Sequence, residues 1–92
     1  MDMPVEKFVV DFIEQKGSLP DGVDLDSFDY IASGYVDSMR LMRFIIDLES
    51  RFGIEIDDAE IESPRFRTIA GVIGIVSEKV DNRGKSAMGV GS

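Results

Sequence analysis

From residue 39 to residue 52 the chain contains no glycine and no proline, and the residues flanking that run are ones that start and stop helices. Asp37 or Ser38 offers an N-cap, because a short oxygen-bearing side chain accepts a hydrogen bond from a first-turn N–H. Gly53 offers the stop, since glycine takes the left-handed conformation that closes a helix without strain. A helix here needs apolar surfaces to cover it, and the sequence supplies them on both sides. Val5, Phe8, Val9, Phe12 and Ile13 follow the i, i+3, i+4, i+7, i+8 spacing of an amphipathic helix, with Pro4 suited to its first turn and Gly17 to its end. Ile69, Val72, Ile73, Val76 and Val80 repeat in the same way after Thr68, a candidate cap. Gly71 and Gly74 within this last helix each cost about 1 kcal/mol relative to alanine, a cost that close packing would explain. The acidic stretch 55–62, which runs into Ser63-Pro64, reads as a brief additional helix. The expected fold is therefore all-α, a small four-helix bundle of three longer helices and one short one.

A long loop, residues 18–36, joins the first and second helices. It holds Pro20, Gly22, Gly34 and four aspartates, with scattered apolar residues at Val23, Leu25, Phe28, Tyr30 and Ile31. One short helical turn is expected at 25–30. Loops of this length inside a compact domain are uncommon and often functional. Residues 82–92 are mostly small, with Arg83 and Lys85 among them, and read as a flexible tail. The expected organisation is one folded domain over 1–81 and a tail over 82–92.

The composition removes several function classes. The 92 residues suffice for a single core. A formal charge of −8 argues against nucleic acid as a partner, because phosphate-backbone binding needs clustered lysine and arginine. There is no cysteine and no histidine, so the chain has no thiol nucleophile and lacks the usual general base. The acidic clusters at 21–29 and 55–62 lack the spacing of a calcium-binding loop and read as solvated surface, so no metal is expected. Asp2, Glu6 and Lys7 do not resemble a signal peptide, and the near-apolar stretch 69–76 is far below the ~18 residues of a membrane span. A cytoplasmic monomer is the expectation.

That leaves Ser38. On its own, Asp37-Ser38 before a long helix is a capping arrangement. The long acidic loop, however, delivers this serine to a helix N-terminus, where backbone N–H groups and the helix dipole favour an attached phosphate. The serine is not a self-activated nucleophile, since no histidine can take its proton and no G-x-S-x-G elbow is present. Its activation would have to come from another enzyme, and any acyl-transfer chemistry would have to borrow its reactive group.

The stretch Gly34-Tyr35-Val36-Asp37-Ser38-Met39 resembles the modification signature of the acyl and peptidyl carrier proteins, an Asp-Ser pair and an apolar residue opening the second helix. The likeness continues through Leu41-Met42, Phe44-Ile45-Ile46 and Leu48-Glu49 to Phe52-Gly53-Ile54-Glu55-Ile56, and spans about Val5 to Val80. The resemblance implies a non-catalytic carrier with 4'-phosphopantetheine, taken from coenzyme A, joined covalently to Ser38. Asp37 would help to place the modifying phosphopantetheinyl transferase and its metal-bound coenzyme A. The cargo would be an acyl group held as a thioester, in the general setting of fatty-acid and lipid metabolism. The implied partners are that transferase, a loading ligase, and synthases or transferases that use the acyl group.

Two departures point to a specialised carrier. Tyr35 stands three residues before the serine, where fatty-acid carriers place glycine, and Gly34 lies one place earlier. This form is closer to D-alanyl carriers, and leaves open an aminoacyl or peptidyl cargo loaded by an adenylating ligase. Arg40 and Arg43 occupy second-helix positions that are usually acidic, so residues 38–52 carry a net +1 within a chain of −8. Either the arginines are simply solvated, or Met39, Arg40, Met42 and Arg43 form a mixed docking face for partner enzymes. From a different class, the chain could be an unmodified acidic interaction domain in which Ser38 only caps its helix.

Overall fold

The computed structural model of the chain describes residues 3–89. Its elements are α1 (Met3–Ile13), α2 (Ser38–Phe52), α3 (Asp58–Glu62), a 3₁₀ turn (Pro64–Arg67) and α4 (Ile69–Gly89). The small helical bundle expected from the apolar spacing is present, and no strand occurs among the described residues. The expected turn in the loop is there too: the Phe28 N–H donates to the Asp24 carbonyl at 2.9 Å, and the Ser27 N–H to the same oxygen at 3.1 Å.

The helix ends are set by single side chains. Asp37 is the N-cap of α2, its Oδ1 accepting from the Arg40 N–H at 2.9 Å. Gly53 ends the helix at φ 64°, and its N–H donates to the Glu49 carbonyl at 2.9 Å. Asp57 and Glu60 form a reciprocal capping box on α3. Thr68 caps α4 by accepting from the Gly71 N–H at 3.1 Å. The backbone of α4 runs to Gly89, through most of the stretch read as a tail from residue 82. That stretch has no proline and only Gly84 before Gly89, so little in it stops a helix already nucleated by a packed N-terminal half. Residues 90–92 lie outside those described.

Phe44 of α2 sits at the centre of the core. Its ring stacks on Phe12 of α1 with centroids 4.7 Å apart, and meets Tyr30 of the loop at 6.0 Å and Phe66 of the 3₁₀ turn at 6.5 Å. Val9, Leu48, Ile69 and Val76 are among the apolar side chains buried around it.

The long loop is therefore anchored, not merely ordered. Tyr30 is fully buried, and its hydroxyl donates to the Phe66 carbonyl at 2.6 Å. Burial, and next the charge of Asp29, push the Tyr30 hydroxyl well above its ordinary pKa. Asp29 accepts from the Ala32 and Ile31 N–H groups at 2.8 and 3.0 Å and pairs with Arg67 at 2.8 Å. Desolvation raises the Asp29 carboxyl, but the bonds from Ala32 and Arg67 and the guanidinium charge outweigh it and hold the pKa below its ordinary value.

The glycines of α4 have a packing reason. A Cβ on Gly71 would collide with the Arg65 carbonyl oxygen, and one on Gly74 would lie 2.6 Å from the Arg65 guanidinium. Arg65 thus lies across a smooth face of α4 to reach Glu78 with two parallel hydrogen bonds. The Arg65 hydrogen bond holds the Glu78 carboxyl below its usual range.

Candidate functional site

Once Asp37 takes the cap, Ser38 becomes the first residue inside α2. Its side chain is exposed, and its hydroxyl makes no hydrogen bond among the described residues. Ser38 is therefore not the cap, so its hydroxyl is left free for other chemistry. As first-turn residues, Ser38 and Met39 also have backbone N–H groups without intrahelical acceptors. These donors and the positive end of the helix dipole suit an anionic group next to Ser38.

The loop delivers the serine in two steps. Gly34 takes φ 84°, a conformation that strains other residues. The chain then folds back so that the Tyr35 and Val36 N–H groups both donate to the Tyr30 carbonyl, at 3.0 and 3.3 Å. Val36 is fully buried, which leaves Asp37 and Ser38 exposed directly after it. Tyr35 packs edge-on against Phe28 at 5.5 Å, and its hydroxyl donates to the Ser18 carbonyl at 2.9 Å. The tyrosine in place of glycine is thus a loop brace, with the turn glycine shifted to position 34.

The candidate docking residues separate into two groups. Met39 and Met42 are 84% and 61% exposed, as expected. Ile46 joins them at 54%. Its place could have been found in the sequence, since 39, 42 and 46 lie along one face of a helix. Arg43 is exposed but pairs with Asp47 one turn later at 3.0 Å. Arg40 behaves as neither reading of it anticipated. Its guanidinium lies 4.8 Å from the centre of the Phe12 ring and donates through Nη2 to the Phe12 carbonyl at 3.1 Å. That carbonyl belongs to the last turn of α1, so Arg40 satisfies a helix C-terminus from the neighbouring helix. Its Nε is buried without an acceptor among the described residues.

No group of three or more acidic, histidine or cysteine side chains is placed to hold a metal among the described residues. A surface groove of about 480 Å³ lined by Pro4, Lys7, Phe8, Asp11 and Arg51 lies beside the far end of α2. At ~1.5 Å per residue, Arg51 is roughly 20 Å along the helix from Ser38. The exposed Ser38 hydroxyl thus stands well away from that groove.

A family model described as a phosphopantetheine attachment site matches residues 20–76, more than half of the chain, and the chain belongs to that family. It is a non-catalytic carrier domain, the kind that bears a covalent 4'-phosphopantetheine. No curated protein and no solved structure matched the chain. Among the described residues no helix is long and apolar enough to cross a membrane.

Proposed function

We propose that Ser38 is the residue that takes the phosphopantetheine arm, and that the loaded carrier presents an acyl thioester to cytoplasmic partner enzymes. The observation that carries this reading is the division of labour at the start of α2, where Asp37 caps the helix and Ser38 stays exposed with a free hydroxyl. In the modification step Ser38 Oγ bonds to the pantetheine-side phosphorus of coenzyme A. The pyrophosphate bond breaks, the adenosine bisphosphate leaves, and the serine proton goes to a base on the transferase. This chain has no histidine to serve as that base. Once attached, the arm supplies the thiol that the sequence lacks and holds the acyl group as a thioester. The first-turn N–H groups of Ser38 and Met39 would hold the phosphodiester's charge, and Asp37 would keep the serine in register.

Met39, Met42 and Ile46, with Arg43 beside them, form the face that partner enzymes meet. These partners are the phosphopantetheinyl transferase, a loading ligase and acyl-using synthases or transferases. An aminoacyl cargo is a second reading, favoured by the Gly34-Tyr35-Val36-Asp37-Ser38 form of the loop.

Incubation of the apo-protein with coenzyme A, magnesium and a broad-range phosphopantetheinyl transferase tests the site by mass spectrometry. The parent is expected to gain one arm and Ser38→Ala none. A gain in the Ser38→Ala protein, or none in the parent, overturns the assignment.

A further inference from the structure

The place of Ser38 is set by the backbone directly ahead of it. The Tyr35 and Val36 N–H groups both donate to the Tyr30 carbonyl, at 3.0 and 3.3 Å, and Asp37-Ser38 follow at once. The Gly34 N–H donates to the Ile31 carbonyl at 3.1 Å and the Ser33 N–H to the Asp29 carbonyl at 3.0 Å, so the turn 31–36 folds back on residues 29–31. Where Tyr30 sits therefore fixes where the serine is offered.

Tyr30 is in turn placed from a distant part of the sequence. Its ring is fully buried, and its hydroxyl donates to the Phe66 carbonyl of the 3₁₀ turn at 2.6 Å. Other bonds run between the same two segments: Asp29 and Thr68 form an isolated antiparallel bridge, Arg67 pairs with Asp29 at 2.8 Å, and the Ala70 N–H donates to the Leu25 carbonyl at 2.9 Å. The Arg67 pair is partly exposed, and such pairs contribute little. The Tyr30 bond is buried, where losing it leaves a carbonyl without a partner. Tyr30 alone bonds the 3₁₀ turn through its side chain and residues 35 and 36 through its carbonyl.

From this chain of bonds we infer that Tyr30 is a positioning residue for the modification of Ser38, its hydroxyl tying the serine turn to the 3₁₀ turn Pro64–Arg67. The inference rests on the reading of Ser38 as the attachment site. A displacement of the 3₁₀ turn is carried through Tyr30 to the serine.

The test compares the parent, Ser38→Ala, Tyr30→Phe and Val5→Ala as full chains, below their unfolding transitions, with coenzyme A, magnesium and a broad-range transferase. Tyr30→Phe keeps the ring in the core and removes only the hydroxyl. Val5→Ala removes a buried side chain from the first turn of α1 and controls for lost stability. For Tyr30→Phe, kcat of loading is expected to fall about 3- to 10-fold with KM within about twofold. The exposed face of α2 is untouched while the serine is misaligned, and a misplacement of about 1 Å can cost up to ~100-fold. Hydrogen exchange at the Tyr35 and Val36 amides should quicken about 2- to 10-fold, the net worth of one hydrogen bond. Val5→Ala should keep kcat and both exchange rates within about twofold of the parent. A parent-like kcat or parent-like exchange in Tyr30→Phe, or an equal effect in Val5→Ala, overturns the inference and leaves the Ser38 assignment standing. A parent that does not load, or a Ser38→Ala protein that does, overturns the site reading and this inference with it.

Discussion

Asp37 has two jobs that substitution can separate. Its carboxylate caps α2 through a 2.9 Å bond to the Arg40 N–H, and it stands beside the proposed attachment serine. Asp37→Ala removes the bond, worth about 1 kcal/mol within a range of about 0.5–2. It also removes a negative charge from the helix N-terminus, worth about 0.3–1 kcal/mol on an exposed site. For a domain of this size each ~1 kcal/mol moves Tm by about 4–8 °C, so a fall of roughly 5–16 °C is expected. Asp37→Asn keeps an equivalent cap and loses only the charge, so its fall should be less than half as large. Thermal unfolding by circular dichroism measures both. The same proteins, incubated with coenzyme A and transferase below their transitions, report on function. If the carboxylate itself guides modification, both substitutions slow loading despite their different stabilities. A parent-like Tm for Asp37→Ala refutes the cap, and parent-like loading by Asp37→Asn refutes a role for the charge.

Three further perturbations probe the supports of the site. Gly71→Ala would ordinarily stabilise a helix by about 1 kcal/mol, but its Cβ would collide with the Arg65 carbonyl oxygen. Net destabilisation of about 1–3 kcal/mol in urea unfolding is expected, and a stabilised variant refutes the packing argument. Arg40→Met keeps an apolar stem over Phe12 but loses the bond to its carbonyl, so a loss of about 1–2 kcal/mol is expected. Unchanged unfolding would show that the α1–α2 tie contributes nothing. Tyr30 has a raised pKa in the fold, so its stabilising share is complete below the unfolded value near pH 10 and is lost as pH rises through the folded value. Stability should fall by up to ~1.4 kcal/mol per pH unit above about pH 10 from this group, and Tyr30→Phe should flatten that slope. An identical alkaline slope in both proteins would refute the assignment.

What the sequence disclosed, and what it hid, follow from the range of the forces involved. The limits of α2 were legible because Asp37 and Gly53 act within one helical turn of themselves. The apolar spacing of α1 and the first half of α4 was equally local, as was the exposure of Met39 and Met42. Tyr30 could not be read in this way. Its hydrogen-bond partner lies 36 residues later, so nothing near it distinguishes an anchor from a loop aromatic. Arg40 was hidden for the same reason, since its role depends on where the end of α1 falls. The 3₁₀ turn at Pro64–Arg67 went unseen because four residues carry no period. The glycines of α4 signalled close packing, but the neighbour turned out to be the Arg65 backbone and side chain, which only the fold brings there.

The two sides of α2 answer to different constraints. Phe44, Ile45 and Leu48 are held by the core, whereas Met39, Met42 and Ile46 are mostly exposed and bear little packing load. Substitutions on the outer row should change stability by no more than about 0.5 kcal/mol. A lineage, or an engineer, can therefore rewrite the outward row without renegotiating the fold, and Ser38 keeps its position while the surface beside it changes allegiance.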